Sequence, residues 1–142
     1  MKKLKIGNVV LCEGIRHEIG GKHTLVGVFA PEINIAQFPG VVPIAIWVAL
    51  LPPEVGDYEA EFRARDSGKN ELVKGQIKIG IQVAAHTALA LGPVSLQIKE
   101  PGDFIFEWSV EGGRWDKIAV LRVNQVGVVP DAVAALVVQA QT

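Results

Sequence analysis

The stretch PGDFIFEWSVEGGRWDKIAVLRV, Pro101 to Val123, constrains the fold more than any other part of the chain. Two strictly alternating segments flank Gly112–Gly113, a pair suited to the positive φ angles of a two-residue hairpin turn. With the turn centred there, Glu111 faces Arg114, Phe104 faces Leu121 and Asp103 faces Arg122. One face then collects Phe104, Phe106, Trp108 and Val110 against Trp115, Ala119 and Leu121, setting large side chains against small ones as a packed core requires. The other face carries the ion pairs. The chain therefore reads as an antiparallel β protein with an aromatic core, and this feature specifies no chemistry.

The remaining segments repeat the pattern. KIGNVVLCEGIRHEI runs into Gly20–Gly21 and KHTLVGVF, a second hairpin of the same kind. EINIAQFPG is a short strand with a proline-marked exit. PIAIWVALLPP is apolar on both faces, the mark of a central strand covered on both sides. DYEAEFRAR turns Tyr58, Ala60, Phe62 and Ala64 inward, and after DSGKN the run GQIKIGIQV turns Ile77, Ile79, Ile81 and Val83 inward. Pairing those faces requires a loop with an even residue count. Pro93 is expected to break HTALALGPVSLQI into two pieces, the second turning Val94, Leu96 and Ile98 inward. About eight or nine short strands, with one polar and one apolar face in both strongly alternating hairpins, predict two stacked sheets.

A chain of 142 residues suits one domain and can bury a core without disulfides or metals. Hydrophobic residues make up 49% and charged residues 20%, which argues against disorder. A formal charge of −1 with dispersed Lys and Arg offers no footprint for nucleic acid. The single cysteine, Cys12, forms no internal disulfide and fits a reducing cytoplasm, the expected location. Lys2 and Lys3 ahead of Cys12 mimic a lipoprotein signal, but Lys5 interrupts the apolar run and Val10 and Leu11 are too bulky before the cysteine. No apolar run reaches the roughly 18 residues of a membrane-spanning helix.

No catalytic, cofactor-binding or metal-binding residues are predicted. In the Gly20–Gly21 hairpin His17 faces Thr24 and His23 faces Glu18, which sends the two rings to opposite sides of the sheet. His86 lies far along the chain, and neither HExxH, paired cysteines nor an acidic calcium loop is present. Cys12 and His17 have opposite strand parity and stand about 16 Å apart, so a buried structural cysteine is the better reading. Ser67, Ser95 and Ser109 lack the GxSxG elbow, and glycine-rich nucleotide loops are missing. Glu59 and Glu61 alternate with Arg63 and Arg65 as a solvated, self-neutralising face.

What remains is surface. On the polar face of the last hairpin Ile105 faces Val120 and Glu107 faces Ile118, so three branched aliphatics stand where solvent is expected. Beyond Arg122 the segment VNQVGVVPDAVAALVVQAQT has Asp131 as its one charged side chain. Asp131 can cap a short helix, the valines equally suit a strand, and either is too apolar to be left in water. The expected organisation is a sandwich over residues 1–123 and an apolar segment over residues 124–142, docked on its own domain or on a neighbouring subunit. Ile105, Ile118, Val120, Leu136 and Val137 are the candidate interface of a homo-oligomer, a dimer first, or of a complex with another protein.

CEGIRHEIGGKHTLVGVF, followed by an FPG step and a long apolar strand, resembles a family of short bacterial proteins of unknown function. GDYEAEFRARDSG through PGDFIFEW to AVLRV is similar to an immunoglobulin-like sandwich ending in its last three strands, although one cysteine excludes the antibody pattern. The resemblance spans most of the chain up to Val123 and implies a fold but no activity. The expected function is a non-catalytic binding or assembly module. A small-ligand carrier or an enzyme with a loop-built site is the alternative, marked by a concave pocket rather than a flat patch.

Overall fold

The computed structural model describes residues 3–126. Nine strands run through them: β1 (Ile6–His17), β2 (His23–Val28), β3 (Glu32–Ile35), β4 (Gly40–Leu50), β5 (Gly56–Arg65), β6 (Glu71–Ile81), β7 (Thr87–Ile98), β8 (Gly102–Val110) and β9 (Trp115–Gln125). They form a four-stranded sheet in the order β2-β1-β4-β7 and a five-stranded sheet in the order β3-β9-β8-β5-β6. The strand pairs are antiparallel except β3 and β9, which run parallel with Ile33 beside Val123. The segment expected to form a terminal helix or strand, with Leu136 and Val137, lies outside the described residues. Asn124 and Gln125, which the sequence assigns to that segment, belong to β9 and pair with Asn34 and Ile35.

The two sheets enclose one core. Alternation delivers Ile44, Ile46, Val48 and Leu50 of β4 and Leu96 and Ile98 of β7 from one side. Tyr58 and Phe62 of β5, Phe104, Phe106 and Trp108 of β8, and Leu121 of β9 come from the other. Phe62 and Phe106 stack with centroids 6.3 Å apart. Ala60 and Ala64 alternate with the rings on β5 and give them room. The expected inward faces of β5 and β6 do pair, Tyr58 with Ile79 and Ala60 with Ile77, but Val83, expected inward with them, lies beyond the end of β6 and is exposed. The loop between them has an odd count, residues 66–70, and an irregularity between Ala64 and Arg65 makes up the difference.

Four local expectations are corrected. Strand β7 continues through Pro93, absorbing it as a register shift against β4 between Ile44 and Ile46. The Gly20–Gly21 connection is longer than a two-residue turn: Glu18 N donates to Lys22 O, so Ile19, Gly20 and Gly21 form the loop. That moves the pairing by one residue and sets His17 directly opposite His23. The last hairpin turns at Glu111–Gly112, both at positive φ, with Gly113 N donating to Val110 O. Finally, the β8–β9 ladder keeps the expected pairs from Phe106–Ala119 outward but slips between Phe106 and Glu107. Glu107 therefore faces Lys117 rather than Ile118, and Trp115 faces Ser109 on the outer side of the sheet.

Trp108 is 1% exposed at the centre of the core. Trp108→Ala is expected to cost about 3–5 kcal/mol through lost burial and the cavity left behind. Urea melts of the two proteins check this, and a loss below about 1 kcal/mol contradicts the packing described.

Candidate functional site

The slip in β8–β9 builds the most organised polar arrangement among the described residues. An extra residue in β9 sends Ile118 against the core and brings Lys117 onto the outer face. Across β6, β5, β8 and β9 one row then reads Lys74, Arg63, Glu107, Lys117. Glu107 is 7% exposed, although it sits on the outer side. Arg63 and Arg65 both donate from Nε to its Oε1, at 3.0 and 2.7 Å. The Arg63 guanidinium lies over the Trp115 ring, 4.0 Å from its centroid. That stacking contributes on the order of 0.5–1 kcal/mol and restricts the arginine to one pose.

Burial by itself opposes the charge on Glu107, but hydrogen bonds from Arg63 and then Arg65 outweigh it and hold the carboxyl below the usual glutamate range. Glu61 answers Lys74 at 3.4 Å, and no ion pair within the described residues involves Lys117. The neighbouring row holds Ile105 and Val120. Val120 is 40% exposed and Ile105 is half-buried, bordered by Arg65 on one strand and by the Asp103–Arg122 ion pair on the others. Of the sequence-derived interface residues the structure thus brings Ile105 and Val120 together, turns Ile118 to the core, and leaves Leu136 and Val137 outside the described residues.

The outer face of the four-stranded sheet is of the opposite character. Across β1, β4 and β7 its cross-strand sets are Asn8–Ala49–Ala88, Val10–Trp47–Ala90, Cys12–Ala45, Pro43–Ser95 and Val41–Gln97, without one charged side chain, and the β1–β2 end adds Arg16 opposite Thr24. Val41 is 66% exposed, whereas Cys12 and Ala45 are closed off. An antiparallel sheet face in water normally alternates to polar residues, so an uncharged one is an exception. The sequence signal was the two-sided apolarity of the β4 segment, read as a strand covered on both sides. Among the described residues only its core face has a sheet stacked on it.

The histidines differ most from expectation. His17 and His23 stand edge to face with centroids 4.9 Å apart, and Trp47 Nε1 donates to His23 Nδ1 at 3.0 Å. Accepting at Nδ1 places the neutral ring's proton on Nε2, so neither nitrogen of His23 offers a free lone pair. No group of three or more His, Cys, Asp or Glu among the described residues is placed to hold a metal ion. Cys12 is fully buried, with Sγ donating to Gly14 O at 3.3 Å, and burial pushes its thiol up despite that bond. A nucleophilic cysteine requires the reverse shift. An apolar cleft of about 350 Å³ lies between β6 and β7, lined by Ile44, Ile46, Phe62, Ile77, Leu91 and Val94. It exists because Gly75 presents no side chain opposite Phe62.

The sign of the Glu107 shift fixes a pH dependence. A carboxyl held below its unfolded value contributes stability that is present above about pH 4.3 and is lost as the pH falls through the folded value. Glu107→Gln is expected to flatten the acid limb of a thermal-melt pH series while leaving the neutral-to-alkaline limb parallel. Glu107→Ala strands two guanidiniums and is expected to cost about 3 kcal/mol, at the low end for a buried pair because the arginines keep 18% and 25% side-chain exposure.

The chain belongs to DUF6941, a family of unknown function whose family model matches residues 8–124. No curated protein sequence matches it. No helix among the described residues is long and apolar enough to cross a membrane.

Proposed function

We propose that this member of the family is a non-catalytic binding or assembly module, an immunoglobulin-like sandwich acting as a homo-oligomer in a bacterial cytoplasm, with a dimer as the first expectation. The observation that carries the reading is the uncharged outer face of β1, β4 and β7. Three strands about 4.8 Å apart and about ten residues long present roughly 450 Å². A standard interface covers about 800 Å² per partner, so this one face supplies about half of what a stable pair needs. It is self-complementary in character, because an apolar surface without charges meets its own copy with no unpaired ion. The Ile105–Val120 patch is smaller and bordered by Arg65, Asp103 and Arg122, which makes it the weaker of the two surfaces.

Light scattering at high micromolar concentration tests the assembly. The wild-type chain is expected to run as a dimer and Val41→Lys to shift it towards monomer, since a lone ammonium in an apolar contact is costly. Val120→Lys, on the other sheet, is expected to leave the mass unchanged. A monomeric wild type overturns the proposal. Dissociation by Val120→Lys alone returns the interface to the patch that the sequence points to.

The β6–β7 cleft favours a second reading, a carrier of a small apolar molecule. Its volume is within the range of about 300–1,000 Å³ typical of ligand sites. A Cβ at Gly75 meets nothing within 4 Å, so Gly75→Leu is expected to fill the cleft without clash. Under the carrier reading the wild type enhances the emission of an apolar fluorescent dye and the variant does not. Equal dye response removes the carrier reading.

A further inference from the structure

The Lys74–Arg63–Glu107–Lys117 row has a net charge of +2, counted from three cations and one carboxylate, in a chain whose overall charge is −1. The rows on either side do not enlarge that surplus: Glu61 in one answers Lys74, and Glu71 in the other stands across from Arg65 without an ion pair. The surplus is organised rather than scattered. Each arginine spends only its Nε on Glu107, and neither guanidinium has a further hydrogen-bond partner among the described residues. Two forks are thus fixed by a buried carboxylate, and one of them also by Trp115, with their terminal N–H groups still unused. Holding the side chains beforehand removes much of the ordering cost that weakens anion binding at flexible surface arginines.

We infer that this row is a binding site for a phosphoryl group, in inorganic phosphate or in a small phosphomonoester. Geometry selects the class. Arg63 and Arg65 are two positions apart on one strand face, about 7 Å, and Lys117 stands two strands away from Arg63, about 10 Å. An anion between them meets donors from three directions. A phosphate offers three peripheral oxygens to three such donors, whereas a planar carboxylate offers two. Glu107 serves as a positioning residue: its Oε1 holds both Nε atoms and so fixes where the two guanidiniums stand relative to each other. The site is independent of the uncharged face on the other sheet, so it stands whether or not the chain dimerises.

The test is a titration of the isotopically labelled full chain with inorganic phosphate, and separately with glycerol 3-phosphate, at ionic strength held constant with chloride. The Nε–H resonances of Arg63 and Arg65 and the indole resonance of Trp115 are followed. Saturable shifts with a midpoint on the order of 1 mM are expected for a ligand of this size. Tighter binding of glycerol 3-phosphate identifies a phosphomonoester site, and equal binding identifies free phosphate as the ligand. Lys117→Gln alters an exposed side chain that makes no ion pair among the described residues and is expected to fold normally while weakening binding about tenfold. Arg65→Lys keeps the charge but loses the fork and is expected to weaken it at least as much. Linear, unsaturated shifts, an equal response to chloride, or an unchanged midpoint in folded Lys117→Gln overturns the proposal.

Discussion

The contact between Glu107 and the two guanidiniums spans the regular β5–β8 ladder, and a slip of one residue between β8 and β9 decides what surrounds it on the outer face. Without the slip Ile118 stands beside Glu107, Trp115 points to the core, and Arg63 has neither a ring to lie on nor a cationic neighbour across β8. With it, one carboxylate is removed from water and must be answered by charge, because an unpaired buried carboxylate costs several kcal/mol. Arg63 and Arg65 answer it from the adjacent strand. A single irregularity thus exchanges an aliphatic for a cation on the surface and places the displaced isoleucine against the core.

The sandwich consequently has two unlike outer faces. The five-stranded sheet presents rows of opposed charges with one positive surplus, and the four-stranded sheet presents alanine, valine, proline and tryptophan. Between them the core is ordinary: branched aliphatics from one sheet against aromatic rings from the other, spaced by alanines. Neither the buried Cys12 nor the His17–His23–Trp47 cluster is arranged as a nucleophile with its base. The cysteine is desolvated, and the His23 nitrogen that could accept a proton is already occupied by an indole N–H.

Period-2 alternation made most of the fold legible. Tyr58, Phe62, Ile79, Phe104, Phe106 and Trp108 can be placed inward from spacing alone, because a strand that buries one face must alternate. The candidate site was not legible in the same way. Its residues were visible as a solvated charge pattern on β5 and an isolated glutamate on β8, and nothing in either segment says that they meet. The histidine pair was misplaced for a related reason. A loop of three residues instead of two moves every partner in a hairpin by one position and reverses the side on which each side chain meets its neighbour.

The sequence by itself determined an all-β chain, most of its strands and most of its core, since these follow from local alternation and from glycine and proline at the turns. Tertiary structure alone decided which strands neighbour one another, that β3 runs parallel to β9, and where the ladders slip. Register in a hairpin depends on how the turn and the packed face compromise, a balance of contacts distant in sequence that no window of residues contains. The Glu107 row and the uncharged sheet face are both products of that balance.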